Sequence, residues 1–248
     1  MSKSAKIPKA SGDLLEELVI GNRILSHQEV VDAFGHISVR HDKDPGKFLM
    51  ARHLAPGLVT PKDIVTFDLD SNPVANPAKR YYSERYIHGE IYKARPEVTA
   101  VIHCHAPALI PFGATKAPLK PIYHMSGYLG AGVPVFDTRS SFGMTDLMIR
   151  TAELGRALAQ TLGDKPVVLM RGHGATMVGH SIKHVVYRAV YAAMNAALQM
   201  EALQLGTPTY LEGDEARLAG EMNDHDRTLE RAWGYWVNEA VGKAKTRR

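Results

Sequence analysis

Histidines 103 and 105 stand two apart in the stretch AVIHCHAP, with the chain's one cysteine between them. On a β-strand, residues i and i+2 project from the same face, so His103 and His105 present two imidazoles side by side and Cys104 points away. Such a pair chelates a divalent metal, although histidines at a strand end also serve as plain hydrogen-bonding groups. Two further residues strengthen the metal reading. His173 sits in RGHG, a tight glycine turn between two apolar runs, where the missing side chains let backbone and ligand approach closely. Glu84 lies 19 residues before His103, in the first turn of a helix that leads directly into the HCH strand. Taken alone, Glu84 reads as an exposed first-turn carboxylate favoured by the helix dipole. Three imidazoles with a nearby carboxylate, however, leave coordination positions open to substrate, as catalytic sites do and structural zinc sites do not. That donor set suits Zn, Mn, Fe or Co alike.

The elements that must position these residues follow from periodicity and punctuation. Residues 11–31 have helical apolar spacing, with Ser11 as N-cap. Alternation predicts strands at 36–41, 47–53 and 63–69. A helix is predicted over 83–95, capped by Ser83 and stopped before Pro96, followed by a β-branched strand at 98–105. The Pro- and Gly-rich middle, 106–145, mixes short elements and includes a strand candidate at 134–137. Residues 145–163 read as an amphipathic helix ended by Gly163, and 166–179 as strand, glycine turn, strand. A long helix over 181–206 is capped by Ser181 and stopped by Gly206, and a helical extension begins at about 210. Helices and strands do not alternate strictly, which predicts a mainly antiparallel or mixed sheet covered by helices in one domain spanning 1–248.

Composition narrows the function classes. The chain has 248 residues, 45% of them apolar and 23% charged, enough for a substantial core. There is no apolar run long enough for a membrane span, no apolar signal core near the N-terminus and no basis for a disulfide framework, so a cytoplasmic protein is expected. The net charge is +4, and the one dense basic cluster is the tail at 243–248, which reads as a solvated end. Scattered positive charge favours a small anionic substrate over nucleic acid, for which no signature is found.

The series SERYIHGEIYKARPEVTAVIHCHAP followed by RGHG closely resembles the class II aldolase/adducin family, across residues 12 to 210. That family includes sugar-phosphate aldolases, ribulose-phosphate 4-epimerases and several decarboxylases. The resemblance implies an α/β/α three-layer fold with a central, mostly antiparallel sheet. It implies one divalent metal ion per subunit, held by His103, His105 and His173, with Glu84 as the catalytic acid/base and a further ligand. It also implies a homotetramer with its active site between subunits. The departures concern substrate. Where sugar-phosphate members carry Gly-Asn, Ser/Thr-Gly and Ser-Ser pairs around phosphate, this chain has Gly35-His36, Arg52-His53 and Tyr82-Ser83. Arg52 suits a carboxylate, and Tyr82 and His36 suit an aromatic face.

These features predict a decarboxylase of a hydroxylated aromatic or heteroaromatic acid or diacid, proceeding through a metal-stabilised enolate-like intermediate. The alternatives are an aldolase or epimerase for an unphosphorylated or acidic substrate and, from another class, an adducin-like scaffold. Tyr123 is a further substrate-binding candidate, and His124 beside it reads equally as a pocket or structural residue. Arg80 reads as an anion guide or a solvated side chain, and His88 as support or packing. His180 and His184 have no evident carboxylate partner, and RAWGYW fits either a cover over a neighbouring subunit's site or ordinary core.

Overall fold

A computed structural model describes residues 7–78 and 80–245, the side chains of 243–245 excepted, so the basic tail falls outside the described side chains. Helix α1 (Gly12–His27) begins where Ser11 accepts the Leu14 amide hydrogen. Eight strands follow: β1 (His36–Arg40), β2 (Lys47–Ala51), β3 (Ile64–Asp68), β4 (Pro73–Ala75), β5 (Ala100–Cys104), β6 (Val135–Phe136), β7 (Val167–Met170) and β8 (Gly174–Gly179). They form one sheet in the order β4-β3-β2-β1-β5-β8-β7-β6. Every pairing is antiparallel except β6 with β7. The other main helices are α2 (Arg85–Ala94), α3 (Ile110–Ala114), α4 (Arg139–Phe142), α5 (Ala152–Leu162), α6 (Ile182–Leu205), α7 (Gly213–Asn223) and α8 (Asp226–Lys245).

The pleat divides the sheet's duties. Ile37 of β1 opposes Ile102 of β5, and Ile37 meets Gly21 of α1 together with Val186 of α6. That face is closed by α1, α6 and α8 and buries Leu18, Ile24, Val185 and Tyr187. His36, Ser38 and His103 point to the other face, where α2 packs with α5 against it. The layering is therefore helix, sheet, helix, with the chemistry on the α2 side of β1 and β5. Cys104 is buried in the core.

Four local expectations are corrected. α1 stops at His27 instead of running to 31, because Glu29 adopts φ 56 and the buried Val30 and Val31 both turn their amides onto the Leu25 carbonyl. Ser83 does not cap α2: the N-cap position belongs to Glu84, whose side chain makes no capping bond. The helix expected from 145 begins only at Ala152, capped by Thr151. Before it, Thr145 and Asp146 side chains accept the amides of Leu147 and Met148, a local alternative to helical bonding, and Leu147 adopts φ 68. Trp233 and Trp236 of the RAWGYW run are buried, Trp236 beside Tyr191, whereas Tyr235 is exposed. His184 does have a carboxylate partner, Asp224 at 2.9 Å, which comes from the end of α7.

Phe48 of β2 joins the sheet to the α2 side. It is fully buried, stacks on Phe67 at 5.2 Å and touches the ring of Tyr92 at 5.4 Å. Phe48→Ala should lower unfolding stability by about 3–5 kcal/mol, read as a fall in the urea midpoint at unchanged m-value.

Candidate active site

The centre of the site is built by one strand pairing. β5 and β8 run antiparallel with His103 opposite Thr176 and Cys104 opposite Ala175. The turn that precedes β8 must swing His173 back toward β5, and two glycines allow it. Gly172 takes φ 64, a left-handed conformation that glycine adopts without strain. Gly174 lies so close to β5 that an added Cβ would stand 2.1 Å from the Cys104 carbonyl oxygen. The result is a group of four side chains, Glu84, His103, His105 and His173, whose ligand atoms all lie within 4.8 Å of one another.

Each member is oriented by its surroundings. His103 Nδ1 donates to the Ala175 carbonyl at 3.1 Å, which leaves the Nε2 lone pair facing the cluster. His103 Nε2 and His105 Nε2 are 3.0 Å apart. Glu84 enters from the head of α2: Oε1 accepts the Ile149 amide at 2.9 Å, and Oε2 stands 3.6 Å from His103 Nε2 and 3.5 Å from His173 Nε2. Burial pushes the Glu84 carboxyl up, but the facing His103 and His173 and the Ile149 N–H outweigh it and hold it down at about 2. Burial pushes His103 the other way, to about 3, despite the opposing influence of Glu84. At neutral pH the site is thus an anionic carboxylate facing an uncharged His103.

The donor set fits a divalent cation. Both ring nitrogens of His173 are buried without a hydrogen-bond partner, and 3.5 Å to Glu84 is too long for a good hydrogen bond. An unsatisfied buried polar atom costs about 1–3 kcal/mol, so an inward lone pair on His173 is costly unless a cation receives it. Oriented neutral imidazoles with a carboxylate, one of them held by a backbone carbonyl, are the groups that bind such ions.

Beside the cluster lies a cavity of about 320 Å³, lined by His36, His53, Tyr82, Ser83, Glu84 and His105 among others. His36 and Tyr82 rings are 4.7 Å apart, and the Tyr82 hydroxyl donates to the Leu54 carbonyl. Of the candidates read from sequence, the structure brings His36, Tyr82 and Ser83 to this cavity. Arg52 lies in an adjoining cavity of about 660 Å³ with Lys62, Asp63 and Arg80, and its Nε donates to Asp63 at 2.7 Å. Tyr123 is not at the cluster: it lies against α6, where its hydroxyl meets Met194 Sδ at 3.2 Å. His124 lines another cavity with Met125, Tyr191 and Trp236.

Sequence reasoning passed over four contributors. His53 lines both the central and the Arg52 cavity and so forms the wall between them. In the sequence it is simply the neighbour of Arg52, and only the fold shows that it borders both spaces. Met148 lines the central cavity and Ile149 holds Glu84 through a backbone N–H, a contact that no side-chain pattern signals. Ser38 bonds His88 from β1, and its one visible sign was its place in the alternation of HISVR.

Comparison with known proteins agrees with this fold. The Class II Aldolase and Adducin N-terminal domain model matches residues 16–200. The chain is 37% identical to the decarboxylase tropJ of Talaromyces stipitatus, over 96% of both proteins. It is 29% identical to the 3,4-dihydroxyphthalate decarboxylase of Arthrobacter keyseri, over 77% of this chain and 79% of that one. The fold matches an aldolase II superfamily protein from Pseudomonas syringae with a TM-score of 0.79 and 22% identity over 96% of both chains. From its first helix to its long sixth one, this chain belongs to the class II aldolase and adducin family.

Proposed function

We propose that the protein is a divalent-metal-dependent carbon–carbon lyase that decarboxylates a hydroxylated aromatic or heteroaromatic carboxylic acid. The observation that carries the reading is the cavity beside Glu84: it is walled by the rings of His36, His53, His105 and Tyr82, with no Lys or Arg among its described lining residues. A slot of this kind suits a flat ring and lacks the positive charge that a phosphate requires. The relatives named as decarboxylases support the same choice over aldol cleavage. Arg52, with Lys62 and Arg80 across His53, is the candidate partner for a second carboxylate on the substrate.

His103, His105, His173 and Glu84 would hold the ion, whether Zn, Mn, Fe or Co. A divalent cation bound there would supply Lewis acidity, which stabilises negative charge on a substrate oxygen. Glu84, ionised at neutral pH, takes the proton of the adjacent substrate hydroxyl and returns it to the ring carbon that loses CO2, and the product oxygen regains a proton from water on release. The Ile149 amide fixes one carboxylate oxygen, so the other is the one that would face the ion before substrate arrives and the substrate proton afterwards. Tyr82 and His36 hold the ring plane, and Ser83 lines the cavity next to Glu84.

The reading extends to assembly and location. Tyr123 lies outside its own chain's central cavity, beside a groove bordered by exposed Met194, Met222 and Tyr235. A homotetramer whose sites lie between subunits would bring Tyr123 to a neighbour's substrate. Among the described residues no helix is long and apolar enough to cross a membrane, and the single cysteine is free and buried; both agree with a cytoplasmic enzyme.

Purified protein loaded in turn with each metal should release CO2 from 3,4-dihydroxyphthalate or a related hydroxyaromatic acid. Cleavage of a sugar phosphate to an aldehyde at a comparable rate would refute the reading. Glu84→Gln should lower kcat by about 10²–10⁴-fold with the fold intact, measured by CO2 release and circular dichroism. Chelation should abolish activity, and the chelated protein should lose stability on acidification. Unfolded histidines protonate near 6.5 but buried His103 and His88 only near 3, so unfolding takes up protons within that window. Stability is therefore retained above about 6.5 and falls below it, by up to about 1.4 kcal/mol per pH unit for each such histidine. Thermal melts of the chelated protein at pH 7, 6 and 5 measure that slope.

A further inference from the structure

The cavity beside the metal-binding cluster changes character from floor to mouth. Burial orders its lining by depth. Glu84 and His36 are each 4% exposed and Tyr82 8%, whereas Phe34 is 61% exposed. Ala33 and His53 are the other exposed lining residues, and His53 is shared with the Arg52 cavity. Leu54, Ala55 and Met148 are half-buried. The remaining half-buried members, Ser83 and His105, adjoin Glu84, one in sequence and the other in the cluster. The polar groups therefore gather at the Glu84 end, and the side toward solvent is apolar except for His53.

The exposure of Phe34 is built into the fold. Val30 and Val31 before it are buried, and both turn their amides onto the Leu25 carbonyl. The Phe34 amide donates to Asp32 Oδ1 at 2.8 Å. Gly35 after it takes φ 92, and a Cβ added there would stand 2.6 Å from Val31 Cγ1 and 3.1 Å from the His103 carbonyl oxygen. The chain beside Phe34 is thus pinned to β5 at a metal-binding residue, while the ring itself is left in water. A single exposed phenylalanine is ordinary on a protein surface. This one is held at the mouth of the candidate substrate cavity, which Leu54, Ala55 and Met148 also line. Apolar walls around a few convergent polar groups are how small-molecule sites are built.

We infer that Phe34 is a specificity-determining residue: with Leu54 and Met148 it forms an apolar collar that selects hydroxyaromatic acids carrying an alkyl or alkenyl group on the ring edge away from the chelating oxygens. With those oxygens at the Glu84 end, the far edge of the ring points to the mouth, and a substituent there passes Phe34. Each methylene buried in the collar takes apolar surface out of water and strengthens binding by up to about fourfold. A charged substituent in the same place gains no partner from these side chains and loses hydration. The hydroxyaromatic head group rests on the decarboxylase reading; the apolar collar does not.

The test is a calorimetric titration of the full-length, zinc-loaded protein with catechol, 4-ethylcatechol and 4-butylcatechol. Affinity should rise by about 2- to 4-fold for each added carbon. Phe34→Ser should flatten the series with zinc content and circular dichroism unchanged, and Phe34→Leu should restore most of the rise. A flat series in the unmodified protein overturns the inference, as does failure of every catechol to bind or a rise that Phe34→Ser leaves intact. Size-exclusion chromatography separates one further outcome. If Phe34→Ser splits an assembly and weakens all three ligands alike, the ring belongs to a contact between copies and the inference falls. CO2 release from the corresponding hydroxyaromatic acids is measured separately. A rising series without CO2 from any of them counts against the decarboxylase reading and leaves the collar standing.

Discussion

The close pairing of β5 with β8 is the constraint on which the rest of this molecule depends. Three imidazoles and a carboxylate must turn their ligand atoms into one small space, and they come from three separate parts of the chain. His103 and His105 share a strand, His173 arrives on a turn, and Glu84 arrives at the head of a helix. Only the near-contact of Gly174 with the Cys104 carbonyl lets the turn bring its histidine this close. Uncompensated polar groups of this kind oppose folding, so the surrounding sheet and helices must supply the stability that the site does not.

The division of the sheet into two faces meets that demand. The α1, α6 and α8 side is almost wholly apolar and carries the packing, including Leu18, Ile24, Val185 and Val186. The α2 side carries buried His36, Ser38, His88 and His103, every one of them hydrogen-bonded. Because β1 and β5 alternate strictly, the same two strands serve both purposes with no compromise in register.

Much of this was legible in the sequence. The HCH spacing, the RGHG turn and the Glu84 position were visible, because a metal site needs particular residue types and the resemblance supplied their order. The strands and the long helices were readable from period and caps, as Ser11 and Ser181 show. What escaped the eye depends on tertiary closure. Ser83 looked like a cap, yet Glu84 took the position because its carboxylate is drawn toward His103 and His173. Residues 145–150 have a helical pattern, but their amides are used by local side chains and by Glu84. Arg52 and His53 are adjacent in the chain, yet Arg52 borders one cavity and His53 both, which depends on residues distant in sequence, such as Asn76 and Tyr82, that line those spaces.

The bond from Ile149 to Glu84 has an evolutionary consequence. Its donor is a main-chain N–H, which every amino acid except proline possesses. The neighbouring Met148 side chain can therefore change and reshape the cavity wall while the carboxylate keeps its anchor. A loop of this design lets lineages exchange substrates without rebuilding the reaction centre.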